Sequence, residues 1–280
     1  MNIKQDVFLS EYTTLRIGGQ VRYFIECTTD ADIVDAMVYA DNHNLPVLLL
    51  GGGSNMVIAD HAHNMICIHM VNTSLDVVYE DESSIHISVG AGYLWDDFVE
   101  YAVSHGYAGI EALSAIPGTC GATPVQNVGA YGQEVSETIV SVRAYNTVSG
   151  IFLVFSNTDC QFGYRDSIFK HAPRGTYIIE SVVFKLDKKS PSIPRYPRVS
   201  DELGLMQEHY PHESQLMHIR RAIQKIRSDK LPNPHYVPNV GSFFKNVYVN
   251  SKKFSELQRQ FVAMPFFQEG GMYKIPTGWL

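Results

Sequence analysis

The chain has 280 residues, of which 45% are hydrophobic and 18% are charged. This composition is typical of a globular protein with ample apolar core and excludes long disordered or fibrous sequence. The formal net charge of −7 argues against nucleic-acid binding, which needs a basic face, and no apolar run reaches membrane-spanning length.

The first part of the chain predicts a β-α-β arrangement. Residues 21–26 alternate as a strand does, Asp30 is expected to cap a helix over residues 31–42, and residues 46–50 form an apolar run typical of a buried strand. Three further strands are predicted at residues 65–70, 76–80 and 84–89. A helix is predicted over residues 93–105, with Gly106 at its C′ position.

The second half predicts a hairpin, a strand and a long helix. Residues 147–150 carry a four-residue hairpin signal between strands at 138–146 and 151–155, and another strand is predicted at 177–186. Residues 188–201 contain three prolines and are predicted to be a linker or an exposed loop. Apolar residues at spacings of three and four predict a helix over 213–230, which Pro232 and Pro234 end. Residues 239–246 are expected to form a compact turn-and-strand element.

Two uncharged glycine-rich segments carry the strongest functional signal. The first glycine segment, residues 51–55, reads Gly-Gly-Gly-Ser-Asn. The second glycine segment, residues 116–132, combines glycines, prolines and small residues with the amides Gln126 and Asn127. Glycine lets bare backbone N–H groups curve around an anion, so both segments are candidates for binding phosphate. The alternatives are a hairpin turn for the first segment and a long surface loop for the second.

Five motifs, in this order, resemble the UDP-N-acetylenolpyruvoylglucosamine reductase family. They lie at residues 13–19, 50–55, 116–132, 162–170 and 241–246. The last two motifs are specific, whereas the glycine segments alone indicate only the wider class of FAD-binding folds. The resemblance implies reduction of UDP-N-acetylglucosamine enolpyruvate to UDP-N-acetylmuramate in peptidoglycan synthesis, with FAD as cofactor and NADPH as co-substrate.

The resemblance also implies an α+β fold in which a small β-α-β-type domain and a larger mixed α/β domain bind FAD together. We place FAD-binding subdomains at residues 1–70 and 71–205, and an incomplete substrate-binding domain at residues 206–280. The chain's last residues resemble an interior motif of the family, so the family's C-terminal glutamate has no counterpart here. A flavin-binding protein without turnover is therefore an alternative, and an FAD oxidase of the same fold acting on a sugar or hydroxy acid is another.

Two residues are implied to be catalytic. Arg165 would steady the substrate carboxylate as negative charge moves onto it, because a fixed cation lowers the barrier there. Its structural alternative is an ion pair with Asp166 or another acid. Ser242 would protonate the α-carbon of the substrate, and its structural alternative is a turn residue that caps a backbone group.

The remaining implied site residues bind substrate or cofactor. Lys230 would reach the substrate's phosphates or carboxylate, although a charge complementing the helix dipole is the alternative. Tyr164, Tyr196, Lys245 and Asn246 are the other substrate contacts. The FAD contacts are implied to be Gly51, Gly52, Gly53, Ser54, Asn55, Ile116, Pro117, Gly118, Gly121, Ala122, Gln126, Asn127, Gly129, Ala130 and Tyr131.

The cysteines and histidines predict no metal site. Four cysteines stand far apart without C-x-x-C spacing, which indicates reduced thiols in a cytosol. The pairs His61/His63 and His209/His212 lack nearby cysteines or a clear acidic partner. We therefore expect a cytoplasmic protein, without a membrane or nucleic-acid partner. The resemblance implies a nucleotide sugar as its small-molecule partner, and a monomer is one possible state.

Overall fold

The computed structural model describes residues 2–189, 191 and 196–279. The chain divides into two compact units, Met1–Asn239 and Val240–Leu280, and each is described by itself. The three-part division of the chain expected from the sequence stays a prediction.

The first sheet of the larger unit has four strands in the order β1-β2-β4-β3. Its elements are β1 (Ile3–Phe8), β2 (Gln20–Cys27), helix α1 (Asp30–Asn42), β3 (Val47–Leu50) and β4 (His63–Met70). Strand β4 runs parallel to β2 and β3, which confirms the β-α-β start, while β1 pairs antiparallel with β2.

Helix α1 is capped by Thr29, so the expectation that Asp30 is the cap is wrong. The Thr29 side chain accepts a hydrogen bond from the Asp32 N–H, and the Asp32 carboxylate accepts from the Thr29 N–H at 3.0 Å. This reciprocal capping box satisfies two N–H groups that a cap at Asp30 would leave exposed.

The second sheet has five antiparallel strands in the order β10-β9-β11-β6-β5. The elements from this part of the chain are β5 (Leu75–Glu80), β6 (Ser84–Gly90), α2 (Trp95–Ser104), the short pair β7 (Gly129–Ala130) and β8 (Gln133–Glu134), β9 (Ile139–Asn146), β10 (Ile151–Ser156), α3 (Ile168–His171) and β11 (Tyr177–Asp187). The predicted hairpin is confirmed between β9 and β10, and Gly106 follows α2 with the predicted left-handed conformation, at φ +78°.

One apolar cluster joins the two sheets. It contains Ile25 and Ile68 from the first sheet and Val182 from the second, together with side chains from α1 and α2. Trp95 and Phe98 of α2 are fully buried, and the Trp95 indole N–H donates to the Leu113 carbonyl at 3.0 Å. This shared core also includes Cys120 of the second glycine segment.

Two helices complete the larger unit. Helix α5 (Gln215–Lys230) confirms the strongest helix prediction, and its apolar stripe packs against α4 (Pro197–His209) through Ile219, Ile223 and Val199. The prediction of a loop over residues 188–201 is wrong from Pro197 onward. Proline fits the first helical position because no N–H donor is needed there. Ser190 and residues 192–195 of that predicted loop lie outside the described residues.

The smaller unit is built on a three-stranded sheet, ordered β12-β14-β13. Its elements are β12 (Val247–Val249), α6 (Ser251–Gln260), β13 (Phe267–Glu269) and β14 (Met272–Ile275). The expected strand within residues 239–246 is wrong, because pairing starts only at Val247. In the part of the chain that the structure describes, no helix has the length and apolarity to cross a bilayer.

Candidate functional site

The two glycine segments meet side by side in the larger unit. The Ser54 hydroxyl donates to the Pro117 carbonyl at 3.0 Å, and the Asn55 side-chain amide donates to Gln126 Oε1 at 3.0 Å. A Cβ at Gly52 would lie 2.9 Å from the Cα of Gly118, closer than ordinary packing allows. Glycine is therefore required where the backbones approach, and the segments form one continuous surface.

The first glycine segment continues β3 and is seated on the motif at residues 13–19. Gly53 has a left-handed φ of +61°, and a Cβ there would lie 1.9 Å from the Tyr12 carbonyl oxygen. The Thr14 N–H donates to the Gly53 carbonyl at 3.2 Å. The motif therefore packs directly against the turn at Gly53.

His69 on β4 lies beside this turn, next to Leu50 across the parallel ladder. Its ring packs near Tyr12 and Phe24, with both centroid distances at 5.6 Å. Burial lowers the pKa of His69, and a backbone hydrogen bond with Gly51 opposes that shift only in part. Burial therefore favours the neutral form of His69, and no local pattern in the sequence marks its position.

The second glycine segment is anchored on the chain between β6 and α2. The Gly118 carbonyl accepts from the Trp95 N–H at 3.0 Å, and the Cys120 N–H donates to the Tyr93 carbonyl at 2.8 Å. A Cβ at Gly121 would lie 2.5 Å from the Cβ of Ala91. Since Cys120 and Gly121 are buried, the alternative of an exposed surface loop does not hold for this part.

A buried polar pair, Glu111 and Gln133, joins the chain on the two sides of the second segment. Glu111 is completely buried, and its carboxylate accepts from the Gly109 N–H at 2.6 Å and from Gln133 Nε2 at 3.0 Å. Gln133 Oε1 accepts from the Ala112 N–H at 2.8 Å. The chain before the segment is thereby tied to the chain after it. The sequence did not predict this pair, since no local pattern links residues so far apart.

Thr119 provides the best test of whether an anionic cofactor fits. Its hydroxyl is buried, has no hydrogen-bond partner among the described residues, and lies 2.8 Å from where a Cβ of Gly51 would stand. Within the same described part, the backbone N–H groups of residues 52–55 donate to no backbone carbonyl. Buried polar groups are nearly always paired, so this donor-rich surface fits a bound phosphate. The sequence alone predicts no separate role for Thr119, although a hydroxyl inside a glycine segment is a usable signal.

Arg165 lies against the second segment. Its guanidinium donates to the carbonyls of Gly129 and Asn127, the latter at 3.4 Å, and lies 3.9 Å from the Glu134 carboxylate. The neighbouring Asp166 pairs instead with His171, at 2.7 Å. Arg165 thus has a carboxylate nearby, as the structural alternative expected, but that acid is Glu134.

The backbone and neighbours of Arg165 hold it in place. Arg165 has a left-handed φ of +54°, and the Tyr164 ring centre lies 5.2 Å from its guanidinium carbon. Asn127, which Arg165 contacts, is itself buried, and its side-chain amide donates to Glu134 at 2.7 Å and to the Gly163 carbonyl at 3.1 Å. The Asn127 side chain therefore shapes the segment from within the protein.

Three predicted site residues come together at the end of the second segment. The rings of Tyr131 and Tyr196 lie 5.4 Å apart, edge to face, and the Lys230 ammonium lies 5.6 Å from the Tyr196 ring centre. Burial raises the pKa of Tyr131, while the nearby Arg227 opposes the shift. Lys230 ends α5, so the helix-dipole alternative and a ligand-binding role are both compatible with its place.

The other three predicted site residues belong to the smaller unit. Ser242 and Lys245 are exposed within it. The Thr277 hydroxyl donates to the Lys245 carbonyl at 3.1 Å, and the Thr277 N–H donates to Asn246 Oδ1 at 3.2 Å. Thr277, for which the sequence predicts no role, holds the backbone of this motif through these bonds.

The thiols show no sign of reactivity. Cys27, Cys67, Cys120 and Cys160 are all free and buried. Burial raises the pKa of the Cys27 and Cys160 thiols to about 12 and that of the other two further. Among the described residues, no three His, Cys, Asp or Glu side chains come together as metal ligands.

Comparison with known proteins shows similarity to FAD-binding proteins. Residues 21–155 match the family described as FAD binding domain. A crystal structure of UDP-N-acetylenolpyruvylglucosamine reductase from Thermus caldophilus shares the fold, with a TM-score of 0.63 at 21% identity, over 98% of this chain and 88% of that one. This confirms the predicted FAD-binding α+β fold.

The particular family follows from closer relatives. The chain is 36% identical to UDP-N-acetylenolpyruvoylglucosamine reductase of Bdellovibrio bacteriovorus and 38% identical to that of Porphyromonas gingivalis. In both comparisons the match covers 100% of this chain and 82% of the relative. The chain belongs to the UDP-N-acetylenolpyruvoylglucosamine reductase family, which confirms the resemblance seen in the motifs.

Proposed function

We propose that this protein catalyses the FAD- and NADPH-dependent reduction of UDP-N-acetylglucosamine enolpyruvate to UDP-N-acetylmuramate, a step of peptidoglycan synthesis. The observation that carries the proposal is the meeting of the two glycine segments around the Thr119 hydroxyl, which has no partner among the described residues, in a chain of this reductase family. Such a surface of backbone and hydroxyl donors suits a cofactor diphosphate.

The chain's own residues would hold FAD. The first segment would give its backbone amides, and Ser54 and Thr119 would give hydroxyl donors to the diphosphate. The second segment, from Ile116 to Tyr131, would line the rest of the cofactor. When bound, the flavin supplies the hydride that it receives from NADPH.

Arg165 and Ser242 would act on the substrate. The reduction adds a hydride to the β-carbon and a proton to the α-carbon, and negative charge grows on the carboxylate between these events. The guanidinium of Arg165 would stabilise that charge, and a planar donor pair suits a carboxylate. The Ser242 hydroxyl would donate the proton, which is chemically reasonable only toward a strongly basic carbon centre.

The remaining residues would orient the nucleotide sugar. Lys230 would attract its phosphates, and Tyr196, already in contact with Lys230, would lie against it. Tyr164, Lys245 and Asn246 would shape the site. The four buried thiols fit the reducing cytoplasm, which we propose as the location.

The test separates the two half-reactions. The purified chain is saturated with FAD, reduced anaerobically with NADPH, and then mixed with the enolpyruvyl nucleotide. We expect reoxidation of the flavin in the native protein, and a loss of roughly 100-fold or more in that step for Arg165→Lys, with reduction by NADPH retained. Arg22→Lys, which changes a surface arginine bound to Asn64, is the matched control.

Each other outcome has a distinct meaning. Failure to take up FAD would refute the proposal. Flavin that stays reduced after the nucleotide is added would identify a flavin-binding protein without turnover. Rapid oxygen consumption with a sugar or hydroxy acid would identify an oxidase instead.

A further inference from the structure

Ala115, the residue directly before the second glycine segment, is held in a conformation that alanine disfavours. Its φ is +59°, in the left-handed region where a Cβ is crowded. Both of its backbone polar groups are bound. The Ala115 N–H donates to Asp96 Oδ1 at 2.6 Å, and its carbonyl accepts from Arg227 Nε at 3.1 Å. Non-glycine residues keep such a conformation only when the surroundings enforce it.

The carboxylate that binds Ala115 is itself fixed by a buried arginine. Arg220 is only 4% exposed, and its guanidinium donates to Asp96 Oδ1 at 2.6 Å and to Asp96 Oδ2 at 3.1 Å. A third bond reaches Glu100 at 3.3 Å. A buried guanidinium is costly without its partners, so the two-point pairing holds Asp96 in one position.

Both arginines lie on α5, which also carries Lys230 at its end. The same helix packs against Ala112, before the second segment, and the cluster it forms includes Tyr131 at the segment's far end. Helix α5 is therefore attached to the second segment at both ends. A helix moves as a rigid body, so a displacement of α5 caused by a contact at Lys230 would also displace the second glycine segment.

We propose that Asp96, Arg220 and Arg227 form a clamp on Ala115 whose role is to position the second glycine segment for the cofactor and to join it to the helix that carries Lys230. These three are positioning residues, because they act through the backbone of Ala115. The inference rests on the proposed FAD binding by the second segment.

The first test measures FAD affinity in folded variants, at a temperature well below the unfolding transition of each. We expect Asp96→Ala to raise the dissociation constant for FAD at least tenfold. Asp96→Asn should recover most of that loss, since the amide oxygen still accepts from the Ala115 N–H. Arg221→Gln is the matched control: Arg221 neighbours Arg220 on α5 but pairs with Glu213, so FAD affinity should stay within twofold of the native value.

The second test uses the left-handed backbone itself. Glycine adopts φ near +59° without the Cβ penalty, so Ala115→Gly makes the clamp less necessary. The loss caused by Asp96→Ala should therefore shrink about fivefold when residue 115 is glycine, which corresponds to the left-handed penalty of about 1 kcal/mol. A merely structural ion pair would give the same loss with either residue.

The outcomes separate this inference from the proposed function. Native protein that binds no FAD would refute the proposed function. Native protein that binds FAD, with a folded Asp96→Ala variant that binds it equally well, would overturn the clamp alone. If Asp96→Ala does not fold, Arg227→Lys takes its place, with alanine and then with glycine at position 115, and an equal loss in both backgrounds would likewise overturn the inference.

Discussion

Gly52→Ala tests the closest approach of the two glycine segments. The new Cβ would lie 2.9 Å from the Gly118 Cα, whereas carbon atoms prefer about 3.5–4.0 Å, so the segments must separate by about 0.6–1 Å. Overpacking of this size costs about 1–3 kcal/mol. If the same free energy is lost from FAD binding, the dissociation constant for FAD rises roughly 5- to 150-fold. Flavin fluorescence titration measures it.

Three other glycines make the test specific. Gly51→Ala should cost less, because the new Cβ meets the Thr119 hydroxyl at 2.8 Å and otherwise only the Ala122 Cβ at an ordinary 3.7 Å. Gly53→Ala should cost more, since the new Cβ meets the Tyr12 carbonyl and Gly53 is left-handed. Gly204→Ala in α4 is the control: nothing lies within 4 Å of its Cβ, and helix propensity predicts a gain of about 1 kcal/mol in stability. Native-like FAD affinity in Gly52→Ala would refute the reasoning.

Further predictions concern single side chains. Thr119→Val should leave the free energy of unfolding of the FAD-free protein unchanged, since its hydroxyl has no partner among the described residues, but weaken FAD binding about tenfold by calorimetry; unchanged affinity would remove Thr119 from the site. His69 has a lowered pKa, so the unfolded chain binds more protons, and the free energy of unfolding should fall as pH drops below about 6.5. In urea titrations at several pH values, the free energy of unfolding of His69→Asn should fall less steeply with decreasing pH. The same dependence on pH in this variant as in the native protein would contradict the prediction. Glu111→Ala should cost about 2–4 kcal/mol by stranding the Gly109 N–H and the Gln133 amide, and Glu111→Gln should cost less; equal losses would exclude the hydrogen bonds as the cause.

The parts of the fold that the sequence predicted are those with a local signal. Apolar periodicity located α5 and β2, and a four-residue turn located the β9–β10 hairpin. Strand β1 escaped prediction because it is an edge strand of mixed burial without alternation. Helix α4 was not predicted because Pro197 and the two prolines before it in the sequence, Pro191 and Pro194, suggested a loop. Pro197 nevertheless lies in the first turn of α4, where a helix tolerates proline.

The candidate site divides in the same way. Clustered glycines permit a close approach of the backbone, so the two segments could be predicted from composition as candidates for binding a phosphate. The side-chain pairs that hold the segments in place could not be predicted. Asp96 and Arg220 are 124 positions apart, and Glu111 and Gln133 are 22 apart, so only the folded chain brings each pair together. Arg165 was expected beside an acid, but which acid depended on the turn that points Asp166 toward His171.

The buried, protonated state of the native thiols has a practical consequence for spectroscopy. Maleimide reagents attack thiolates, which these four side chains hardly form. A single cysteine introduced at Val148, 84% exposed at the tip of the β9–β10 hairpin, would therefore take up a dye while the native residues stay untouched. Distance measurements by energy transfer to the flavin would then need no cysteine-free background.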